Sequence, residues 1–303
     1  MLDASALRHA GCIRRLKLHI IDGYRKKTMP NDMEFGTAFH KFRAIFREKG
    51  MNGLHEGLHE AQRYYRETPM WIKPQKRYMT EEYLAKCCVD YATQYMNDTI
   101  LPCVGPDGTK LLEMKFAIPV HTDDVCEIIL CGTIDEIGSN RQGYPFIIDA
   151  KTTSMSDEKE YLDGYLLSHQ FMFYRFVVGL YAQAHPNSVY AEILKYDIAN
   201  LVDGIFLRGK DKVEFHRSRA WLFKRETLEE FEGLLNATIS KVIALVHTSD
   251  MPPREGIVTQ ACETRFSRCE FYYACASPDI ESAKAIIDNN FVRIPYNPLT
   301  FQT

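Results

Sequence analysis

The stretch "GTIDEIGSNRQGYPFIIDAKTT", residues 132–153, places Asp135, Asp149 and Lys151 in a setting suited to chemistry. Each aspartate follows apolar residues, where a strand end opens onto a site. Side chains alternate along a strand, so Asp149 and Lys151 share one face. The turn residues "SNRQG" between the two runs predict a hairpin or meander that brings Asp135 beside Asp149. Two carboxylates edged by a lysine make a hard-oxygen site for Mg²⁺ or Mn²⁺. Such an ion polarises a phosphodiester oxygen and makes hydroxide available, while the lysine orients water or stabilises developing charge. The ordinary alternative for a lone Asp-x-Lys is a salt-bridged strand end at the surface. Two such strands in succession favour the site.

Cysteines form the second feature. There are nine, at positions 12, 87, 88, 103, 126, 131, 262, 269 and 275. An odd number argues against a disulfide framework. Cys126 and Cys131 lie in an apolar strand-like run and read as small core residues. Cys87 and Cys88 are adjacent on a helical pattern, point in different directions and suit no common ligand. Cys262, Cys269 and Cys275 crowd into "CETRFSRCEFYYAC". Three thiolates lack one ligand for tetrahedral zinc. The plainer alternative is three buried cysteines beside Phe266, Phe271, Tyr272 and Tyr273.

A third motif, "HEGLHE", contains His-Glu-x-x-His. On a helix this would place His55 and His59 on one face for zinc, with Glu56 as the base of a metalloprotease. Gly57 within the motif disfavours the helix by about 1 kcal/mol relative to alanine. Only Glu81 or Glu82 suggests itself as a third ligand, so exposed helix residues are the preferred reading.

The elements that would carry these residues follow from apolar periodicity. Helices are expected over 3–22, 35–50, 54–66, 80–97, 159–183 and 226–247. Strands are expected over 111–120, 125–138, 144–150, 189–196 and 203–208, in a mostly antiparallel group. The 303 residues are 46% hydrophobic and 25% charged, with a net charge of -3. This composition supports a packed core and excludes a broad basic field for nucleic acid. A local basic surface remains available through Arg14, Arg15, Lys17, Arg25, Lys26 and Lys27, whose ordinary role is a solvated helix face. No run of about 18 apolar residues predicts a membrane span. The first residues do not resemble a secretory signal, so an intracellular, cytoplasmic setting is expected, bacterial or phage-encoded. No G-x-x-x-x-G-K-[ST] loop is found, so a helicase motor or recombination partner would be another chain.

Taken together, these motifs resemble the PD-(D/E)XK nucleases, and within them the RecB-like branch. Asp135 in "G-x-x-D" and Asp149-Ala150-Lys151 match the branch's acidic strands. The resemblance implies a metal ligand on an upstream helix in a G-x-x-x-H pattern, here Gly36 and His40. It also implies a Q-x-x-x-Y pair that positions DNA, here Gln170 and Tyr174, which share a helix face at i, i+4. His40, Asp135, Asp149 and the Ala150 carbonyl would hold metal, and Lys151 would assist the attacking water. Glu113, on the strand before Asp135, is a further acidic neighbour, with an exposed strand glutamate as its ordinary explanation.

Some RecB-like nucleases, including AddB and the CRISPR-associated spacer-trimming nucleases, carry a four-iron four-sulfur cluster. One of its cysteines lies before the nuclease core and three lie after it. By that resemblance Cys12 joins Cys262, Cys269 and Cys275 as ligands, with zinc as the competing metal. The fold implied is α/β: a restriction-endonuclease-like core with a central mixed sheet flanked by helices. A cysteine module would join the N- and C-terminal regions. One nuclease domain over 1–303 is expected. It comprises a helical part (1–110), the core (111–208), a helix and cluster-binding segment (209–280) and a tail (281–303). The function implied is a metal-dependent deoxyribonuclease, an exonuclease on single-stranded DNA or DNA ends in recombination, repair or phage DNA processing. A catalytically inactive DNA-binding module of the same fold is the alternative that intact Asp135, Asp149 and Lys151 oppose.

Overall fold

The structure is a computed structural model. It describes residues 1–27, 33–68, 78–105, 107–195, 197–209, 212–248, 251–255, 262, 268–294, 296–297 and 299. Phe266 lies outside the described residues.

The helices in chain order are α1 (Ala4–Leu7), α2 (Ile13–Leu16), α3 (Met33–Lys49), α4 (Leu54–Glu67), α5 (Glu81–Tyr95), α6 (Glu158–Asp163), α7 (His169–Ala184), α8 (Val189–Leu194), α9 (Arg225–Val246), α10 (Tyr272–Ala276) and α11 (Ile280–Asn290). The strands are β1 (Tyr24–Lys26), β2 (Leu101–Pro102), β3 (Leu112–Thr122), β4 (Glu127–Ser139), β5 (Pro145–Thr153), β6 (Ala199–Leu207), β7 (Val213–Arg217) and β8 (Phe291–Arg293). The chain packs as two compact units. The first takes Met1–Met29, Lys115–Gly132 and Glu229–Thr303; the second takes Pro30–Met114 and Thr133–Leu228.

The fold is mixed α/β, with a mixed sheet flanked by helices. Its strand order is β2-β4-β5-β6-β7, and β3 also pairs with β4. All pairings with a defined register are antiparallel except β5 with β6, which run parallel and set Asp149 opposite Val202. A parallel pair needs a long crossover, and residues 154–198, carrying α6, α7 and α8, supply it.

In the second unit, α3 carries two stripes side by side. Phe35, Phe39, Phe42 and Phe46 recur at steps of four, three and four and are all buried. They pack with Tyr65 of α4, Tyr83 and Tyr91 of α5, and Ala150 and Ile205 of the sheet. Displaced by one residue, Gly36, His40, Arg43 and Arg47 form a parallel polar stripe along the same helix. Arg43 is fully buried and donates to Glu136 at 2.7 Å and to the Tyr91 hydroxyl at 3.1 Å. Arg47 reaches Glu136 at 2.5 Å and Asp98 at 2.9 Å. Arg217 of β7 closes the chain of charges with Asp98 at 2.9 Å and Asp203 at 2.6 Å. Three guanidiniums thus meet three carboxylates, which is what permits such charges to be buried at all.

Several expected elements differ. Residues 3–22 do not form one helix: α1 is followed by a 3₁₀ turn, Cys12 is extended at φ -145°, and α2 passes into a π-helical turn. Val189–Leu194 is a helix, not a strand. "VYAEIL" has the short apolar run that fits either state. The expected helix 159–183 is two helices, because Ser168 caps a new start by accepting from the Gln170 amide. Cys131 is buried as expected, but Cys126 sits half-exposed at a turn.

Candidate active site

The glycine of "GTAFH" has a steric reason. A Cβ at Gly36 would lie 2.9 Å from Thr152 Oγ1, closer than real contacts allow. Glycine therefore lets α3 press against the end of β5. One turn later on the same face, His40 Nδ1 lies 3.3 Å from Asp135 Oδ2 and 3.8 Å from Glu113 Oε1. His40, Glu113 and Asp135 each direct one ligand atom into a space where all three lie within 4.8 Å of one another.

The hairpin brings in the rest. Glu136 opposes Ile148 in the antiparallel register, so Asp135 and Asp149 fall at the neighbouring step. Asp135 Oδ2 accepts the Ala150 amide at 2.9 Å. Asp149 is completely buried, with Lys151 Nζ 2.6 Å from its Oδ2. Gln170 Nε2 donates to Asp149 Oδ1 at 2.9 Å and lies 2.7 Å from the Tyr174 hydroxyl. All seven of these residues belong to the second unit. Tyr174 is itself buried, so the pair's visible work here is to hold Asp149.

Burial pushes the Asp149 carboxyl up to about 6; Lys151 opposes the shift and Asp135 adds to it. For His40, burial acts to lower the pKa, but the Asp135 and Glu113 carboxylates outweigh it and the net shift is upward. Lys151 follows the same pattern: burial lowers, Asp149 and Asp135 raise, and it stays a cation. Asp149 Oδ2 and Glu113 Oε1 are buried and accept no well-aligned hydrogen bond. Three carboxylates and an imidazole with two such oxygens fit a hard divalent cation.

Glu113 is the residue that sequence pattern undervalues. It is half-buried rather than exposed, and its φ of 46° places it in the left-handed region, uncommon for a side chain with a Cβ. Backbone of this kind clusters at sites where structure elsewhere over-determines it.

The cysteines Cys12, Cys262, Cys269 and Cys275 line one pocket of the first unit, together with Arg14, Arg15 and Arg254. The Cys269 amide donates to the Cys262 carbonyl at 2.8 Å, which brings together the two ends of the long gap between these residues. The four sulfurs are not drawn tight: among the described residues no three of them lie within 4.8 Å of one another. Tetrahedral zinc would hold thiolates roughly 3.8 Å apart.

Two further groups of residues singled out by the sequence are placed as follows. Most of the basic residues near the N-terminus are engaged within the first unit. Arg14 donates to the Pro252 carbonyl, Arg15 reaches Glu270, Lys17 reaches Asp22, and Arg25 donates to the His19 carbonyl. Lys26 and Lys27 remain exposed. On α4, His55, Glu56 and His59 are exposed, and Glu56 is paired with Lys49 at 2.8 Å. Among the described residues they join no group of three converging ligands. Gly57 is explained by packing, since a Cβ there would meet the Phe42 ring at 2.9 Å. Replacing His55 and His59 together with alanine is expected to leave divalent-metal affinity at the His40–Asp135 site within about twofold of the parent, because exposed substitutions rarely disturb a remote site. A tenfold loss in a metal titration would restore the metalloprotease reading of this helix.

Residues 5–276 match the PD-(D/E)XK nuclease superfamily. The chain belongs to that superfamily, which suggests a phosphodiesterase, and nucleases of that superfamily typically use a divalent metal. No curated protein matches the chain. Among solved structures, one described as "Crystal structure of SSO0001" is similar at 12% identity, covering 68% of this chain and 74% of that one, with a TM-score of 0.26. So slight a likeness carries no argument about function. No helix among the described residues is long and apolar enough to cross a membrane.

Proposed function

We propose that the chain is a Mg²⁺- or Mn²⁺-dependent deoxyribonuclease of the RecB-like branch, acting as an exonuclease on single-stranded DNA or DNA ends. The observation that carries this reading is the convergence of His40, Glu113 and Asp135 beside a buried Asp149–Lys151 pair. His40, Asp135, Asp149 and the Ala150 carbonyl hold the ion, and Glu113 joins them. When bound, the ion supplies Lewis acidity at the scissile phosphate. Lys151 stays protonated beside Asp149, so it donates hydrogen bonds to the attacking water and to the phosphate rather than removing a proton. Gln170 fixes Asp149 Oδ1, and the ion would share Oδ2 with Lys151, which lies 2.6 Å from it. The experiment is digestion of end-labelled DNA with Mn²⁺, with Mg²⁺ and with EDTA.

Proton and metal compete for the same carboxylate. The Asp149 carboxyl is raised to about 6, so without metal the folded chain holds this proton more tightly than the unfolded chain does. That contribution to stability is complete below about 4 and is lost as pH rises through about 6. Metal binding runs the opposite way, since the ion displaces the proton. Mn²⁺ affinity measured by calorimetry is therefore expected to weaken as His40, whose pKa is raised, takes up its proton, and to fall by at least about tenfold for each unit below 6 as Asp149 does too. A flat profile down to pH 5 would remove Asp149 from the ligand set.

The four cysteines hold an iron–sulfur cluster in this reading. Four thiolates are the usual ligand set, and Arg14, Arg15 and Arg254 beside them balance the negative charge such a cluster would bring. The cluster would staple α2 to the segment around α10 within the first unit. Anaerobically purified protein is expected to be brown and to contain about four irons per chain. Colourless protein holding zinc at these cysteines would contradict the assignment.

A further inference from the structure

The first unit contains a second set of metal-type donors, which neither the nuclease site nor the cysteine pocket uses. The end of β3 and the turn into β4 read "HTDDVC", with His121 on the strand and Asp123 and Cys126 in the turn. Their ligand atoms all lie within 4.8 Å of one another. His247, one residue past the end of α9, arrives from 124 positions away along the chain. His121 Nε2 is 2.8 Å from Asp123 Oδ2, and His247 Nε2 is 3.1 Å from the same oxygen. Cys126 Sγ lies 3.9 Å from it.

The turn holds these groups in place. Asp123 Oδ1 accepts the amides of Val125 and Cys126, both at 2.8 Å, and the Asp123 amide donates to the Cys126 carbonyl at 3.0 Å. One carboxylate oxygen is thus spent on the backbone, and the other faces both imidazoles. Neither histidine needs a cysteine at its side for hydrogen bonding, and a half-exposed cysteine at a turn contributes little to packing. Two imidazoles, a thiol and a carboxylate form the borderline nitrogen–sulfur–oxygen set that zinc prefers. Ligand atoms on a zinc tetrahedron lie roughly 3.3–3.8 Å apart; the two imidazoles now sit at ion-pair distance from Asp123 Oδ2 and would move outward to share a metal with it, while Cys126 Sγ would move slightly in.

We propose that His121, Asp123, Cys126 and His247 bind one Zn²⁺ as a structural site. All four positions are filled by protein, as in structural rather than catalytic zinc centres. The ion clasps the tip of the β3–β4 hairpin to the C-terminal end of α9, two segments of the first unit that are distant in sequence. The residues of the nuclease site lie in the other unit, so zinc occupancy and hydrolysis are separable.

The test uses the full-length chain with zinc supplied during expression. Metal content is measured for the parent and for Cys126→Ser, His247→Ala and Cys269→Ser. The parent is expected to retain one zinc equivalent that Cys126→Ser and His247→Ala lose and that Cys269→Ser keeps. Loss of a direct ligand should weaken Zn²⁺ binding by more than about 100-fold, since outer-sphere partners alone are worth roughly 10- to 100-fold. With Co²⁺ substituted, a thiolate-to-cobalt absorption band should vanish in Cys126→Ser and persist in Cys269→Ser. His247 is 42% exposed at its side chain, so its replacement leaves the fold intact and gives an independent reading. In thermal melts Zn²⁺ should raise the midpoint of the parent and not of His247→Ala. Zinc retained by either ligand variant, or a parent whose melting does not respond to Zn²⁺, overturns the proposal.

Discussion

Replacing Asp149 with asparagine is expected to lower metal-dependent DNA hydrolysis by about 10³-fold or more while leaving the chain folded. The change keeps the shape and the acceptor that Gln170 uses. It removes the charge that Lys151 faces at 2.6 Å and that the ion requires. A ligand that also sets the charge of its neighbouring lysine acts on two parts of the reaction, so the loss should exceed that of a single hydrogen-bond donor, typically about 10²–10³. Stability in the absence of metal should not fall at neutral pH, because the buried carboxylate, pushed up to about 6 by burial, is held there against its preference. Kinetics with Mn²⁺ and a denaturant midpoint without it measure both parts. Undiminished turnover would show that the chemistry lies elsewhere.

The second large effect concerns stability. Glu136 is completely buried and takes hydrogen bonds from both Arg43 and Arg47. Glu136→Ala would leave the fully buried Arg43 with only Asp203, at 3.6 Å, as a charged partner. Breaking one member of a buried ion network costs about 3–5 kcal/mol. That is a large share of the stability of most domains, about 5–15 kcal/mol. The expected result is a denaturant midpoint lowered by roughly a third to a half, or, in a marginal domain, a chain that fails to accumulate. A further variant that replaces Arg43 with methionine alongside Glu136→Leu should recover part of the loss, because two charges leave together. Loss of less than about 1 kcal/mol would show that the network is solvated. Hydrolysis should decline with it, since Arg43 is three residues from His40 on α3 and anchors the face that presents it.

These two residues also mark what can and cannot be read from sequence. Asp149 is legible because an apolar strand that ends in Asp-x-Lys is unusual, and because strand alternation alone puts the two charges on one face. Gly36 and His40 are legible only as a pattern; the reason for the glycine, its approach to Thr152, needs the three-dimensional packing. Glu136 reads as an ordinary charge beside Asp135, since nothing local says that two arginines nearly ninety residues upstream are buried against it. A signal does exist in α3: Arg43 and Arg47 continue the stripe begun by Gly36 and His40, directly beside four phenylalanines. Glu113 escapes for a different reason. Its backbone is left-handed, so period-two alternation misassigns its face. The Val189–Leu194 helix fails as a strand prediction because six residues hold too little periodicity to separate the two states.

Linear and covalently closed circular single-stranded DNA, incubated with the parent and with Asp149→Asn in Mn²⁺ or in EDTA, test the central claim most directly. The parent is expected to degrade linear DNA in Mn²⁺ to short products and to spare the circle. EDTA and Asp149→Asn should each abolish degradation. Hydrolysis that survives EDTA or Asp149→Asn would contradict a metal-dependent nuclease at this site, and equal attack on the circle would contradict an exonuclease.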